Sequence, residues 1–376
     1  MKSKLFSILA VSALTFTACS KSDETVVVPQ PEEIATLKGS ISASQTVKAG
    51  TITLDGATIV REGATLTIPA GTTIVAKDRG SYLLIEKGAK IVAKGTADSP
   101  IVFTSSVTKS GEWGGLIING KAPLSRANET DPSTFGTEIN DQIQYGGSDI
   151  ADNSGELEYV VLEYTGSNIS DDKEHNGLTL NGVGNGTKIS NIYIKESADD
   201  AIEFFGGSVN VTNLLVVNAE DDAFDFTQGY SGTLKNAYSV WTPDFTTNEQ
   251  DPRGVEADGN HDGNGSNHIN QSNFKMEDIT IIQNSTGATM QDVIKVRRGA
   301  KATITNLLVN VGTNAVVGDM IDFTDGKGAG SATISYTLLP VSLTAKINPV
   351  DAAGITKNTT STGADVSSFA WTKYSF

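Results

Sequence analysis

Between residues 198 and 241 one short unit is written twice, and no other feature restricts the fold as much. Asp199-Asp200-Ala201-Ile202-Glu203-Phe204 is answered 22 positions later by Asp221-Asp222-Ala223-Phe224-Asp225-Phe226. A repeat of this length with alternating apolar residues is what one coil of a parallel β-solenoid needs. It sets equivalent residues of successive coils one strand spacing apart, about 4.8 Å. Glu203 is therefore expected above Asp225, with Asp199 and Asp200 above Asp221 and Asp222.

The flanking text extends the same rhythm. From Thr51 to Ser106, runs such as Thr65-Leu66-Thr67-Ile68, Thr73-Ile74-Val75 and Lys90-Ile91-Val92 are each closed by Gly, Asp or Pro-Ala-Gly. They read as short strands, and no stretch there sustains helical spacing over two turns. A phrase led by Asn191, Asn213, Asn236, Asp278 and Asn306 recurs in steps of 22, 23, 42 and 28 residues. Solenoids accept such variation because insertions leave at the turns. The 42-residue step reads as one coil with a large loop, given the Gly-Asn-rich run near Asn260. Asn tolerates left-handed backbone and bonds to its neighbours above and below, so the recurrent Asn is expected to form a structural ladder at a corner. The polar stretch from Pro123 to Asn153 reads as a corner loop and a candidate groove wall.

Lys2 and Lys4 precede an apolar run, Leu5 to Phe16, too short to span a bilayer, and Thr17-Ala18 lead into Cys19, the single cysteine. This is the pattern of a lipoprotein signal over residues 1–18 with lipidation at Cys19. Residues 19–34 read as a flexible tether. Residues 35–376 read as one domain whose aromatic tail, from about residue 343, covers the open end of the solenoid. The formal charge of -16 argues against nucleic acid as a partner and fits divalent cations or cationic partners.

The phrases GATLTIPAGTTI, IEKGAKIVAKGTADSPIVFTSS, GEWGGLIINGKAP, NGLTLNGVGNGTKISNIYI and DDAIEFFGGSVNVTNLLVV resemble the coils of right-handed parallel β-helix proteins of the pectin-lyase-like superfamily. They are similar in particular to a group of surface lipoproteins and secreted proteins of mostly unassigned function. Asp23-Glu24, soon after Cys19, resembles the export signal of Bacteroidota lipoproteins. The resemblance implies an all-β, right-handed parallel β-helix with coils of about 22 residues, anchored in the outer membrane and facing the exterior.

Chemistry is concentrated in the doubled unit. Eight acids, Glu196, Asp199, Asp200, Glu203, Glu220, Asp221, Asp222 and Asp225, stand against one base, Lys195. Stacked carboxylates repel. Three remedies are open: Ca²⁺ held by Asp199, Asp200, Asp221 and Asp222; a salt-bridge ladder with Arg253, Lys295, Arg297 and Arg298; or a carboxyl with a raised pKa that acts in catalysis. Members of the superfamily bind polysaccharide on the outside of adjacent coils. That resemblance makes Glu203, Asp225 and Lys295 the catalytic candidates of a polysaccharide lyase or glycoside hydrolase, and Arg253, Glu256, Arg297 and Trp241 the binding candidates. Phe205 and Tyr230 are further candidates for stacking on sugar rings. No lyase or polygalacturonase signature matches residue by residue, so a glycan- or protein-binding scaffold is the leading reading. An accessory lipoprotein of an outer-membrane transport receptor is a third. Asp258, Asp262 and Asn264, beside His261, form either a loop of oxygen ligands or a plain exposed loop. P-loop, Gly-x-Ser-x-Gly and His-Glu-x-x-His motifs are absent from the sequence.

Overall fold

The structure is a computed structural model that describes residues 33–170, 173–261 and 264–376. Cys19, the signal-like segment, the tether as far as residue 32, and Asp262 lie outside the described residues. The described residues from Glu33 onward form one compact unit. Its main sheet has 25 strands that pair in parallel among the described residues, which makes a right-handed parallel β-helix.

Three ladders run the length of the stack. The first passes through Ile189, Val211, Leu234, Met276 and Ile304, and the second through Ile192, Leu214, Ala237, Ile279 and Leu307. The third joins Leu178–Asn181, Ile202–Phe205, Phe224–Thr227, Arg253–Ala257, Thr289–Lys295 and Val316–Asp322. Alternation puts one set of side chains inside each coil, where Phe204, Phe226 and Phe274 stack with centroids 5.0 and 4.1 Å apart.

The bend between the first and second ladders is where the recurrent Asn sits. Asn191, Asn213, Asn236, Asp278 and Asn306 all have φ between 53° and 59°. The Asn213 amide donates to Asn191 Oδ1 at 2.9 Å, Asn236 to Asn213 Oδ1 at 2.8 Å, and Asn306 to Asp278 Oδ1 at 2.8 Å. The expected ladder is present, and its residues turn the chain as well as bonding across coils. The 42-residue step is one coil, because Thr233 pairs directly with Lys275. Its extra length leaves in two excursions, 242–252 and 258–272. The stretch after Pro123 carries an antiparallel hairpin, Phe135–Thr137 with Asn140–Tyr145.

The stretch expected to cap the open end from about residue 343 divides in two: Leu343, Ala345, Ile347, Ala352 and Ile355 pack on the core there, whereas the aromatic tail beyond them does not. Ile347–Asn348 and Ile355–Lys357 add to the third and first ladders, and the chain then turns back. The Asn358 amide donates to the Tyr336 carbonyl, Thr362 N to Asn306 Oδ1, Ala364 N to Thr280 Oγ1 and Asp365 N to Asn236 Oδ1. The 3-10 helix Val366–Thr372, capped by the Asp365 carboxylate on Ser367 N, then lays Phe369 against Tyr193 and Leu215. Trp371 meets Tyr159 edge-on at 5.4 Å. The cause lies on the second ladder, whose outer face carries Val161, Tyr193, Leu215, Val240 and Ile282. That apolar stripe gains more from cover than a polar strand edge does.

Candidate functional site: an acidic groove on the third ladder

Alternation along the third ladder sends Phe204, Phe224, Phe226, Val255 and Ala257 inward. Glu203, Asp225 and Glu256 therefore face out, and the register stacks Glu203 on Asp225 and Asp225 on Glu256. The turns leading into these strands stack as well, since the Asp222 amide donates to Asp200 Oδ1 at 3.0 Å. Carboxylate oxygens of Asp199, Asp200 and Asp221 lie within 4.8 Å of one another. So do those of Asp200, Glu203 and Asp225, and those of Asp222, Asp225 and Glu256. The three sets overlap along the stack, and all their members but Asp222 line a groove of about 390 Å³.

Insertions build its walls. Glu138 lies at the turn of the hairpin after Pro123, Glu174 closes the small hairpin Asn168–Ser170 with Lys173–Glu174, and Glu249 belongs to the 242–252 excursion. The Pro123–Asn153 stretch thus supplies a wall, as its irregular text suggested. Behind the row, the buried Asn176 amide donates to Glu203 Oε2 at 2.6 Å. Asn176, Glu174 and Glu249 carry no repeat signal, because they sit on or beside insertions that have no counterpart in neighbouring coils.

Ion-paired bases gather at one end of the groove, while Lys173, on the opposite wall, donates its amine to the Glu138 carbonyl at 3.1 Å. Arg253 stands 3.1 Å from Glu256, 3.3 Å from Asp292, 2.6 Å from Asp251 and 3.8 Å from Asp222. Arg297 holds Glu256 at 2.9 Å and Asp258 at 2.8 Å, and Arg298 holds Asp258 at 2.9 Å. Among the described residues, no Lys or Arg forms an ion pair with Asp199, Asp200, Glu203, Asp221 or Asp225. Burial, and then the field of neighbouring carboxylates, pushes Asp199, Asp200, Glu203, Asp222 and Asp225 well above the usual carboxylate range. The same causes bring Asp221 to about 7. Buried Oδ1 atoms of Asp221, Asp222 and Asp225 have no hydrogen-bond partner. The salt-bridge ladder is therefore real at Glu256 and Asp258, and it reaches the doubled unit only at Asp222.

A second cluster, Asp292, Asp319 and Asp322, has its oxygens equally close together. There each acid has a base beside it: Arg253, shared with Glu256 and Asp251, on Asp292, Lys346 on Asp319 at 2.6 Å, and Lys295 on Asp322. With a base at every acid, that cluster has less electrostatic need for a cation than the groove has.

Several expected roles are corrected. Lys295 follows Glu256 in the outward row through the pairing of Val255 with Ile294, but its amine bonds Asp322 and is not free to act as a base in the groove. Trp241 is 1% exposed and donates its indole N–H to the Ala219 carbonyl, so it cannot stack on a ligand. Tyr230 is equally buried, with its hydroxyl on the Val209 carbonyl, and Phe205 packs with Leu124 and Tyr145. Arg253, Glu256 and Arg297 do meet, at the late-coil end of the groove. Of the loop set beside His261, Asp258 is tied to Arg297 and Arg298, and Asp262 lies outside the described residues.

The family model for the pectate-lyase-like β-helix domain matches residues 39–373. The chain belongs to this family. Comparison with curated proteins and with solved structures finds no match. Membership of the pectate-lyase-like β-helix family accounts for the coil stack and its outward rows.

Proposed function

We propose that the protein is a cell-surface binding β-helix whose acidic groove holds a divalent cation and, through it, an acidic glycan or protein partner. One observation carries the reading: five stacked carboxyls without a base, beside three buried carboxylate oxygens that bond to nothing. An all-oxygen, flexible donor set of this kind suits Ca²⁺ best. Asp199, Asp200, Asp221 and Asp222 at the turns, with Glu203 and Asp225 on the strands, would supply the ligands. The cation would relieve the repulsion and present an electrophilic centre to anionic groups. Anchorage through Cys19 in the outer membrane, facing the exterior, belongs to the same proposal and is supported by the N-terminal sequence pattern.

Binding is favoured over cleavage because Lys295, Arg253 and Arg297, the bases expected to act, are each held by carboxylates, and Lys173 at the groove wall donates to the Glu138 carbonyl. Calorimetric titration of the purified protein with Ca²⁺ tests the reading. Saturable heat that EDTA abolishes and Asp225→Asn weakens at least about tenfold is expected, by the loss of one charged ligand. Absence of heat would remove the cation from the proposal. Uronate and neutral glycan panels, followed by reducing ends and by absorbance of unsaturated products, are expected to stay uncleaved. Cleavage lost in both Glu203→Gln and Asp225→Asn would replace the binding reading with a hydrolase.

A further inference from the structure

Beside the groove, where the arm after Pro123 meets the 258–272 excursion, a second cavity of about 270 Å³ opens. Backbone bonds fix its walls. Arg126 and Ile269 pair antiparallel with N···O distances of 3.3 and 2.9 Å, and the Ser125 amide donates to the Gln228 carbonyl at 2.8 Å. The walls are mainly apolar, formed by Leu124, Pro132 and the ring of Phe135, which is 42% exposed and lies 4.6 Å from the His261 ring.

Two polar features in this slot lack the partners they have elsewhere. Five of the six arginines, Arg61, Arg79, Arg253, Arg297 and Arg298, are ion-paired. Arg126 is the exception among the described residues, and its Nη1 donates only to the backbone carbonyl of Asp131 at 3.0 Å. The Asp131 carboxylate, also at the cavity, is engaged by the Asn128 amide. An arginine without a carboxylate is conspicuous in a chain of formal charge -16. Next to it Ser125, 8% exposed, has a buried hydroxyl with no hydrogen-bond partner. A guanidinium and a hydroxyl are donors that suit a carboxylate, and the apolar walls suit a ring.

We propose that this cavity binds a small ring-bearing monocarboxylate, aromatic or alicyclic, with its carboxylate on Arg126 and Ser125 and its ring against Phe135. The site is separate from the cation groove and works without it. A sugar acid would bind poorly, because its hydroxyls would be stripped of water against apolar walls.

Isothermal titration or saturation-transfer NMR on the purified protein in EDTA tests this, with benzoate and cyclohexanecarboxylate as probes and benzylamine and glucuronate as controls. The two ring carboxylates should bind and the controls should not. Arg126→Gln should weaken benzoate about tenfold or more, the size expected for a charge-assisted bond. Phe135→Ala should weaken it as well, with both variants keeping the parent melting temperature. Unchanged affinity in Arg126→Gln, equal binding of benzylamine, or no binding at about 10 mM probe would overturn the assignment. So would binding that needs Ca²⁺ and vanishes in Asp225→Asn, which would move the ligand into the groove.

Discussion

Glu203 lies directly over Asp225 on the outward row of adjacent coils, and carboxylate oxygens of the two lie within 4.8 Å of each other. Burial and the neighbouring carboxylates hold both well above the usual carboxylate range, so the metal-free groove is a proton store. The pKa of Asp221, at about 7 against an ordinary 3.8, fixes the sign of the consequence. A carboxyl whose folded pKa is raised binds more protons folded than unfolded. Its contribution is fully present below the unfolded value and is lost as pH rises through the folded one. In EDTA the melting temperature should therefore fall between about pH 4 and pH 8, the reverse of the usual carboxylate trend. Ca²⁺ should flatten the fall. Scanning calorimetry across pH with and without Ca²⁺ checks both, and a rising EDTA profile would contradict the groove's electrostatics.

The second cluster offers the matched control. Asp292→Asn should leave the Ca²⁺ titration unchanged, since Asp292, Asp319 and Asp322 each have a base. It should lower stability by about 1–3 kcal/mol, because Arg253 loses one of its charged partners in a buried setting.

Lys295→Ala should affect stability and not ligand. Lys295 and Asp322 are only 11% and 8% exposed, and breaking a buried pair costs about 3–5 kcal/mol. Urea unfolding should show the loss, while Ca²⁺ and glycan titrations keep the parent affinity.

Asn213 makes two ladder bonds from a left-handed conformation with φ of 58°. Asn213→Ala loses the bonds and adds backbone strain, together about 2–4 kcal/mol. Asn213→Gly loses only the bonds and should be milder by about 1 kcal/mol. Equal losses by denaturant titration would mean that the corner is not strained.

Phe369 is fully buried beneath the tail. Phe369→Ala should cost about 3–5 kcal/mol and expose Tyr193, Leu215 and Val240, read as increased binding of a hydrophobic dye. The groove faces a different side of the coil, so its Ca²⁺ titration should not change.

The legible part of the site was the part free of insertions. The 22-residue step from Asp199 to Asp221 is uninterrupted, so the stacking of Glu203 on Asp225 could be read directly. Lys295 was harder. From Val255 to Ile294 the excursion 258–272 intervenes, and although the residue does follow Glu256, register does not say whether its amine turns back to Glu256 or on to Asp322. Trp241 failed for a backbone reason. Leu234 points inward, and after the left-handed Asn236 so do Ala237 and Trp241, so the corner reverses the parity of the strand. Glu174 and Glu249 were hidden because placement on an insertion leaves no periodic trace. The tail's docking place was hidden because its stripe, Val161, Tyr193, Leu215, Val217, Val240 and Ile282, is assembled from two outward positions over five coils and is invisible in any single strand.

That tail changes how the whole rod comes apart. A bare solenoid can fray from its free end, each coil leaving at the cost of one interface. Here the last residues are fastened far upstream, Asp365 to Asn236 and Trp371 to Tyr159, so terminal coils cannot peel away without first releasing a clasp on the middle of the rod. The clasp couples early and late coils that would otherwise melt independently.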